Sequence, residues 1–209
     1  MTASYDQAGL GARLDSLPER HRAAFAAACT ERQLENYAAF AAATGWGDLA
    51  ALQHALDRVW AALAGRDTIE RAESSELARM CESLGPTHSQ RFNTRWKAAA
   101  AAAAASVAYC LRCLLDGSSQ LAVWTARDAY EALAEYVIRE ERLDMNDSWI
   151  EQRIQEHPWI REELRHQDED LSMLTGAASL GPHLLATLRE RSRTGGLRPV
   201  SRGLADPPG

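Results

Sequence analysis

Apolar residues recur at intervals of three and four along most of the chain. This spacing places side chains on one face of an α-helix. The clearest stripe runs through Phe25, Cys29, Tyr37 and Phe40. The sequence has no convincing run of alternating β-branched residues, the pattern that would indicate a strand. The pattern therefore predicts an all-α protein.

Two helices joined by a short turn are predicted near the N-terminus. Ser16 and Pro18 suit the start of the first helix, with Ser16 as its N-cap, and this helix should end near Thr44. Asp48 suits the N-cap of the second helix, which carries a leucine stripe and should end at Gly65. The two helices are predicted to form an αα-hairpin.

The turn of this hairpin reads T-G-W-G-D. Gly45 is predicted to end the first helix in a left-handed conformation, and Asp48 to start the second. Trp46 would then be a hydrophobic plug and Gly47 a flexible joint. The alternative is a ligand-binding loop.

Further helices are predicted along the rest of the chain. A run of eight alanines, residues 98–105, has the highest helix propensity available. Its small side chains allow neighbouring helices to approach closely, so this helix is predicted to lie at the centre of the fold. The predicted segments are residues 75–83, 89–115, 118–142, 149–155, 158–174 and 183–191.

The domain organisation follows from these segments. Residues 1–192 are predicted to form an all-α, single-domain bundle of six or seven helices around the alanine-rich helix. Residues 193–209 contain glycine, proline and arginine but no apolar face, so they are predicted to be a disordered basic tail.

The charge and hydropathy of the chain argue against several classes of function. The net charge is −6 and no broad basic face is evident, which argues against nucleic-acid and anionic-membrane partners. Arg58 is the one basic residue in 49–63, so a helix-turn-helix is not predicted.

The N-terminus has no signal-peptide pattern. The apolar stretch 98–111 is shorter than the roughly 20 residues of a membrane helix. A cytoplasmic protein is expected.

Metal, cofactor and catalytic motifs are weak. Cys110 and Cys113 have C-x-x-C spacing without a second pair, so they are interpreted as small buried side chains. Glu163 and His166 have the spacing of half a di-iron site, but the second half is missing, and a solvated helix face is expected. No nucleotide or hydrolase motif is present, so no cofactor is predicted. Whether the protein is an enzyme stays open, with a non-enzyme favoured.

Three motifs in residues 13–63 carry a family resemblance. They are a helix with C-x-E-R-x-x-x-N-Y-x-x-F, the turn T-G-W-G-D, and L-D-x-x-W. The segment closely resembles the YjaG-like family of bacterial proteins, a domain of unknown function. Weaker similarity covers most of the chain except the tail. The resemblance implies an all-helical single domain and supplies no catalytic residues. The motif positions are Cys29, Glu31, Arg32, Asn36, Tyr37, Phe40, residues 44–48, Leu56, Asp57 and Trp60.

A polar group on the first hairpin is the candidate site. Arg32 and Asn36 project near the apolar stripe and need partners, because an unpaired buried polar group costs about 1–3 kcal/mol. Asp57 is the candidate partner of Arg32. The structural interpretation is a network that locks the hairpin. The functional interpretation is a pocket formed by Glu31, Arg32, Asn36, Tyr37 and Asp57, with Trp46 and Asp48 of the turn.

Two functions are compatible with the sequence. The first is a non-catalytic protein-interaction protein, adaptor- or immunity-like. Residues 127–172 contain fourteen Asp and Glu against six Arg, which could dock a basic partner or the chain's own arginine tail. The alternative is a small-molecule-binding protein, or an unrecognised enzyme, that uses the hairpin pocket. A homodimer is compatible with either.

Overall fold

The fold is built from nine α-helices within residues 5–87, 89, 92 and 94–194, the part of the chain that the computed structural model describes. These residues contain no strand, and the all-α prediction is confirmed. The helices are α1 (Gln7–Asp15), α2 (Glu19–Thr44), α3 (Leu49–Leu63), α4 (Arg71–Ser83), α5 (Lys97–Asp116), α6 (Ser119–Glu140), α7 (Ile150–Glu156), α8 (Pro158–Thr175) and α9 (Pro182–Thr194).

The alanine-rich helix α5 lies at the centre of the fold, as predicted. It packs against α2, α3, α4 and α6. Ala100, Ala103, Ala104 and Val107 are fully buried. A methyl side chain lets a neighbouring helix approach closely, so this one helix can contact four others.

The length argument against a membrane helix was wrong for α5. Helix α5 has 20 residues, and its most apolar 18-residue window has a mean hydropathy of 1.7, so by length and composition alone it could cross a membrane. The uninterrupted apolar stretch is only part of the helix, which continues to Asp116. Its packing against four helices accounts for the apolar composition.

Helix α2 begins at Glu19, after Pro18, and is preceded by a helix that the hydrophobic pattern missed. Ser16 does not cap α2; it lies at the C-terminal end of α1, where its hydroxyl donates to the Arg13 carbonyl at 2.6 Å. Gly9 weakens the helical signal of α1 in the sequence, but Asp6 caps that helix and Leu14 anchors it in the core.

Several helix ends differ from the predicted ones. Helix α5 begins only at Lys97. Helix α6 ends at Glu140, and Arg142 just beyond it has a left-handed φ of 51°. Helix α9 runs through Thr194, so Arg193 is helical and does not belong to the tail. The rest of the predicted tail, residues 195–209, lies outside the described residues.

Gly45, Trp46 and Asp48 have the structural roles in the T-G-W-G-D turn that the sequence predicts. Gly45 ends α2 with a φ of 65°, and the Asp48 carboxylate caps α3 by accepting from the Ala51 amide at 2.9 Å. The Trp46 ring packs edge-on against Phe40 at 5.8 Å. The Tyr37 hydroxyl accepts from the Asp48 amide at 3.1 Å. Two side chains of α2, Tyr37 and Phe40, therefore hold the turn in place.

Gly47 should be the more sensitive of the two turn glycines. A Cβ at Gly47, whose φ is 101°, would lie 2.5 Å from the Tyr37 hydroxyl oxygen, whereas a Cβ at Gly45 meets nothing within 4 Å. We expect Gly45→Ala to cost about 1 kcal/mol of unfolding free energy through backbone strain alone. Gly47→Ala should cost about 3 kcal/mol, because the hydroxyl must also move off its partners. Urea unfolding measures both, and equal costs would contradict the packing described for Tyr37.

Candidate functional site

Arg32 binds two carboxylates of α8 in the core. Its Nε and Nη2 donate to the two oxygens of Glu163 at 3.0 and 3.1 Å, and its Nη1 donates to Asp170 Oδ2 at 2.7 Å. Arg32 is 3% exposed, and Glu163 and Asp170 are 1% exposed. The predicted pairing of Arg32 with Asp57 is therefore wrong. Arg32 points towards α8, whereas Asp57 lies on the exposed side of α3.

The acidic partners of Arg32 share one face of α8. Glu163, Gln167 and Asp170 are spaced by four and three residues, which aligns them along the helix. Gln167 completes the group by donating to Glu163 Oε1 at 2.9 Å and to the Ala126 carbonyl at 3.2 Å. The expected solvated face at Glu163 and His166 is wrong, because both are buried. The reason is that α2 supplies an arginine opposite this face.

The electrostatics of this group favour a structural role. Burial acts to lower the pKa of Arg32, but Glu163 and Asp170 together raise it, so the guanidinium stays charged. Burial raises the pKa of Asp170 against the effect of Arg32. Burial also raises the pKa of Cys29, whose Sγ lies 3.4 Å from Arg32 Nη2. Cys29 is therefore a thiol rather than a thiolate nucleophile at neutral pH.

The other candidate ligands and nucleophiles are also inside the protein. Cys110 and Cys113 are free and buried, as predicted, and burial raises the pKa of Cys113 to about 12. His166 accepts from Arg165 at 3.0 Å, and burial followed by Arg32 lowers its pKa, so its ring is neutral. Across the described ranges, no three His, Cys, Asp or Glu side chains gather as a metal site would require.

A cleft of about 340 Å³ lies between α2, α3 and α9. Its floor is apolar and is formed by Leu34, Ala38, Leu49 and Leu56. The polar residues that line it are Glu31, Glu35, Gln53, Asp57, Arg189, Ser192 and Arg193.

One end of the cleft is an ion cluster around Glu31. Its Oε2 accepts from the Trp60 indole at 2.7 Å and from Arg189 Nε at 3.3 Å, and its Oε1 accepts from Arg193 Nε at 2.7 Å. Asp57 Oδ1 forms an ion pair with Arg189 and lies 3.9 Å from Arg193 Nη2. The arginines of α9 thus attach this helix to the hairpin.

The structure separates the seven residues of the sequence-predicted site. Glu31 and Asp57 come together in the cleft, where Arg189 and Arg193 join them. These two arginines are not among the residues that the sequence suggested, although their spacing of four residues places them on one helical face. The other five predicted residues lie elsewhere: Arg32 in the buried network, Asn36 buried one turn after it, and Tyr37, Trp46 and Asp48 at the hairpin turn.

An acidic surface with two exposed apolar side chains lies at the α6–α7 junction. Met145 and Trp149 are each 66% exposed, and they are the large hydrophobic side chains exposed in the described part of the chain. Residues 140–156 contain six Asp and Glu against two Arg. We call this segment the acidic junction. The wider acidic region is not all solvated, because Asp128, Glu163 and Asp170 are buried.

Removing Arg32 should destabilise the fold by leaving two carboxylates buried without their partner. We expect Arg32→Met to lower the free energy of unfolding by about 3–5 kcal/mol. The triple variant Arg32→Met/Glu163→Gln/Asp170→Asn should regain most of that loss, because no buried charge remains unpaired. Chemical denaturation of the variants measures both effects.

Arg71→Met is the matched control for this prediction. Arg71 is largely exposed and pairs with Asp116 at 2.9 Å, so its loss should cost about 0.5 kcal/mol or less. Similar costs for Arg32→Met and Arg71→Met would contradict the structural role of the buried network.

Comparisons with known proteins agree with the fold. No curated protein matches the chain. The structure is similar to the crystal structure of a DUF416 family protein from Shewanella baltica OS155, with a TM-score of 0.79 and 21% sequence identity over 90% of this chain and 94% of that one. The sequence model of the family described as "Protein of unknown function (DUF416)" matches residues 9–199. The chain therefore belongs to the DUF416 family, whose function is unknown.

Proposed function

We propose that this protein is a non-catalytic, adaptor- or immunity-like interaction protein that binds a basic protein partner through the acidic junction. The observation that carries this proposal is the exposure of Met145 and Trp149 among carboxylates. Tryptophan is enriched among the residues that contribute most to binding energy in protein interfaces. Surrounding carboxylates steer an oppositely charged partner and select it against acidic proteins. An arginine or lysine of the partner can also stack on the indole face.

The acidic junction is held in shape by local contacts, which lowers the entropy cost of binding. The left-handed Arg142 turns the chain out of α6. Asp147 Oδ1 then accepts from the Trp149 amide at 2.9 Å. Beneath the junction, Leu143 and Ile154 pack in an apolar cluster with α6 and α8. Trp149 is therefore presented by an ordered turn.

A non-catalytic role is supported by the state of the ionisable groups. Arg32 pairs with Glu163 and Asp170 in the core, and Cys29 is a buried thiol. We further propose that the protein is YjaG-like, because of the motifs in α2 and its turn. We also propose that it is cytoplasmic, because its four cysteines are free and buried.

A second candidate function is small-molecule binding, and the cleft at Glu31 and Asp57 supports it. The cleft has an apolar floor and converging charges of both signs, which is typical of ligand pockets. It uses only two of the residues that the sequence suggested, since Arg32 and Tyr37 have structural partners.

Site-specific crosslinking in the native host tests the interaction proposal. A photo-crosslinking residue at Ser148, exposed beside Trp149, should capture a basic protein, and the same residue at Arg79, exposed on α4, should not. Asp144→Lys/Glu151→Lys should abolish that crosslink by reversing the local charge. The matched reversal Asp15→Lys/Glu76→Lys, at exposed positions of α1 and α4, should leave it intact.

The captured partner then permits a quantitative check. Trp149→Ala should weaken binding of the purified partner by about 2 kcal/mol, or roughly thirty-fold. Higher salt should slow association. The absence of any crosslink at 148, or identical capture at 148 and 79, would refute the interaction proposal.

A further inference from the structure

At one end of the cleft, two oppositely charged side chains lie close together but too far apart for a hydrogen bond. Arg193 Nη2 and Asp57 Oδ1 are 3.9 Å apart, and their side chains are 53% and 55% exposed. Each is held by another contact: Arg193 Nε donates to Glu31 at 2.7 Å, and Asp57 pairs with Arg189. The two charges are therefore positioned by other residues and not by each other.

The second feature is the apolar floor beside these charges. Leu34 and Leu56 are buried beneath the cleft, and Ala38 and Leu49 extend the apolar surface towards the hairpin turn. The volume of about 340 Å³ lies at the small end of ligand pockets. A suitable ligand therefore has a charged head and one short apolar side chain.

From this arrangement we propose that the cleft binds a free α-amino acid with an apolar side chain. The ligand's ammonium group binds the Asp57 carboxylate, and its carboxylate binds the Arg193 guanidinium. Two charge-assisted hydrogen bonds then take the place of the loose 3.9 Å contact. The apolar side chain lies on Leu34 and Leu49. This inference rests on the second candidate function, that the cleft binds a small molecule.

Glu31 acts as the positioning residue of this site. It is buried, and its oxygens accept from Trp60, Arg189 and Arg193. It thus holds Arg193 at the cleft while its own charge is neutralised by the two arginines. The Arg189 guanidinium lies 5.6 Å from the Trp60 ring centroid, which adds a second restraint on that wall.

The chemistry distinguishes this ligand from its analogues. A molecule that lacks the ammonium group cannot bind the Asp57 carboxylate. A molecule that lacks the carboxylate cannot bind the Arg193 guanidinium. Glycine has both charges but nothing to cover the apolar floor. Each loss of a charge-assisted hydrogen bond should weaken binding by about tenfold or more.

Isothermal titration of the full chain tests the proposal. The probes are leucine, 4-methylpentanoate, 3-methylbutylamine and glycine. We expect leucine to bind at least tenfold more tightly than each of the other three. Asp57→Asn and Arg193→Gln should each weaken leucine binding about tenfold, and Ala38→Leu should abolish it by filling the cleft.

The ion pair between Arg71 and Asp116 supplies matched controls. It joins two exposed side chains at 2.9 Å on another surface, so Arg71→Gln and Asp116→Asn should leave leucine binding unchanged. Thermal melts identify any variant whose weaker binding reflects unfolding. Because Asp57 is half exposed, Asp57→Asn should melt close to the wild type. Arg193→Gln also removes a partner of the buried Glu31, so a modest loss of stability is expected for this variant.

The outcomes distinguish failure of the amino-acid proposal from failure of the cleft as a binding site. Equal binding of leucine and 3-methylbutylamine, or of leucine and 4-methylpentanoate, would overturn the amino-acid proposal while leaving the cleft as a binding site. Leucine binding that is insensitive to Asp57→Asn and Ala38→Leu would also overturn it. If no probe binds at millimolar concentration, and neither does a broader library of small molecules, the small-molecule function of the cleft fails as well.

Discussion

The buried contact between Arg32 and the two acids of α8 is the constraint on which the arrangement of the outer helices depends. A guanidinium in the core must be matched by carboxylates at bonding distance, because an unpaired buried charge is far more costly than a lost contact. Glu163 and Asp170 meet that requirement only when α8 lies against α2 in one register. Gln167 extends the same restraint to α6 through the Ala126 carbonyl. A buried polar network of this kind selects one packing of the helices, even where its net contribution to stability is small.

The centre of the fold is specified differently, by small side chains. The alanines of α5 let α2 come close enough for polar groups to bond across the two helices. Thr30 donates to the Ser106 carbonyl at 3.3 Å, and Gln33 donates to the Ser106 hydroxyl at 3.0 Å. The Gln33 amide also reaches the Thr125 carbonyl of α6 at 3.2 Å. Close packing and these bonds join α2, α5 and α6 into one frame.

The frame supports two surfaces of different character. The acidic junction presents an aromatic and a methionine side chain among carboxylates, which suits a large basic partner. The cleft combines fixed charges of both signs with an apolar floor, which suits a small zwitterion. Both lie where helices end or attach to the frame, at the α6–α7 turn and at α9. The buried Arg32 group carries no such surface, although Arg32 belongs to the most distinctive motif in the sequence.

The sequence by itself determined the helical class, the central place of α5 and the hairpin turn, because each depends on local periodicity, propensity and capping. The start of α3 at Leu49 was predicted to the residue, since Asp48 caps it, and its end at Leu63 lies two residues before the predicted Gly65. Only the tertiary structure decided the partners of the charged residues. Arg32 was assigned to Asp57 by nearness along the chain, yet it binds acids more than 130 positions away. Arg193, predicted to lie in a tail, is helical and lines the cleft. A charged side chain shows which sign of partner it needs, but many residues in one chain carry that sign. Which of them comes within bonding distance is determined by how the helices pack.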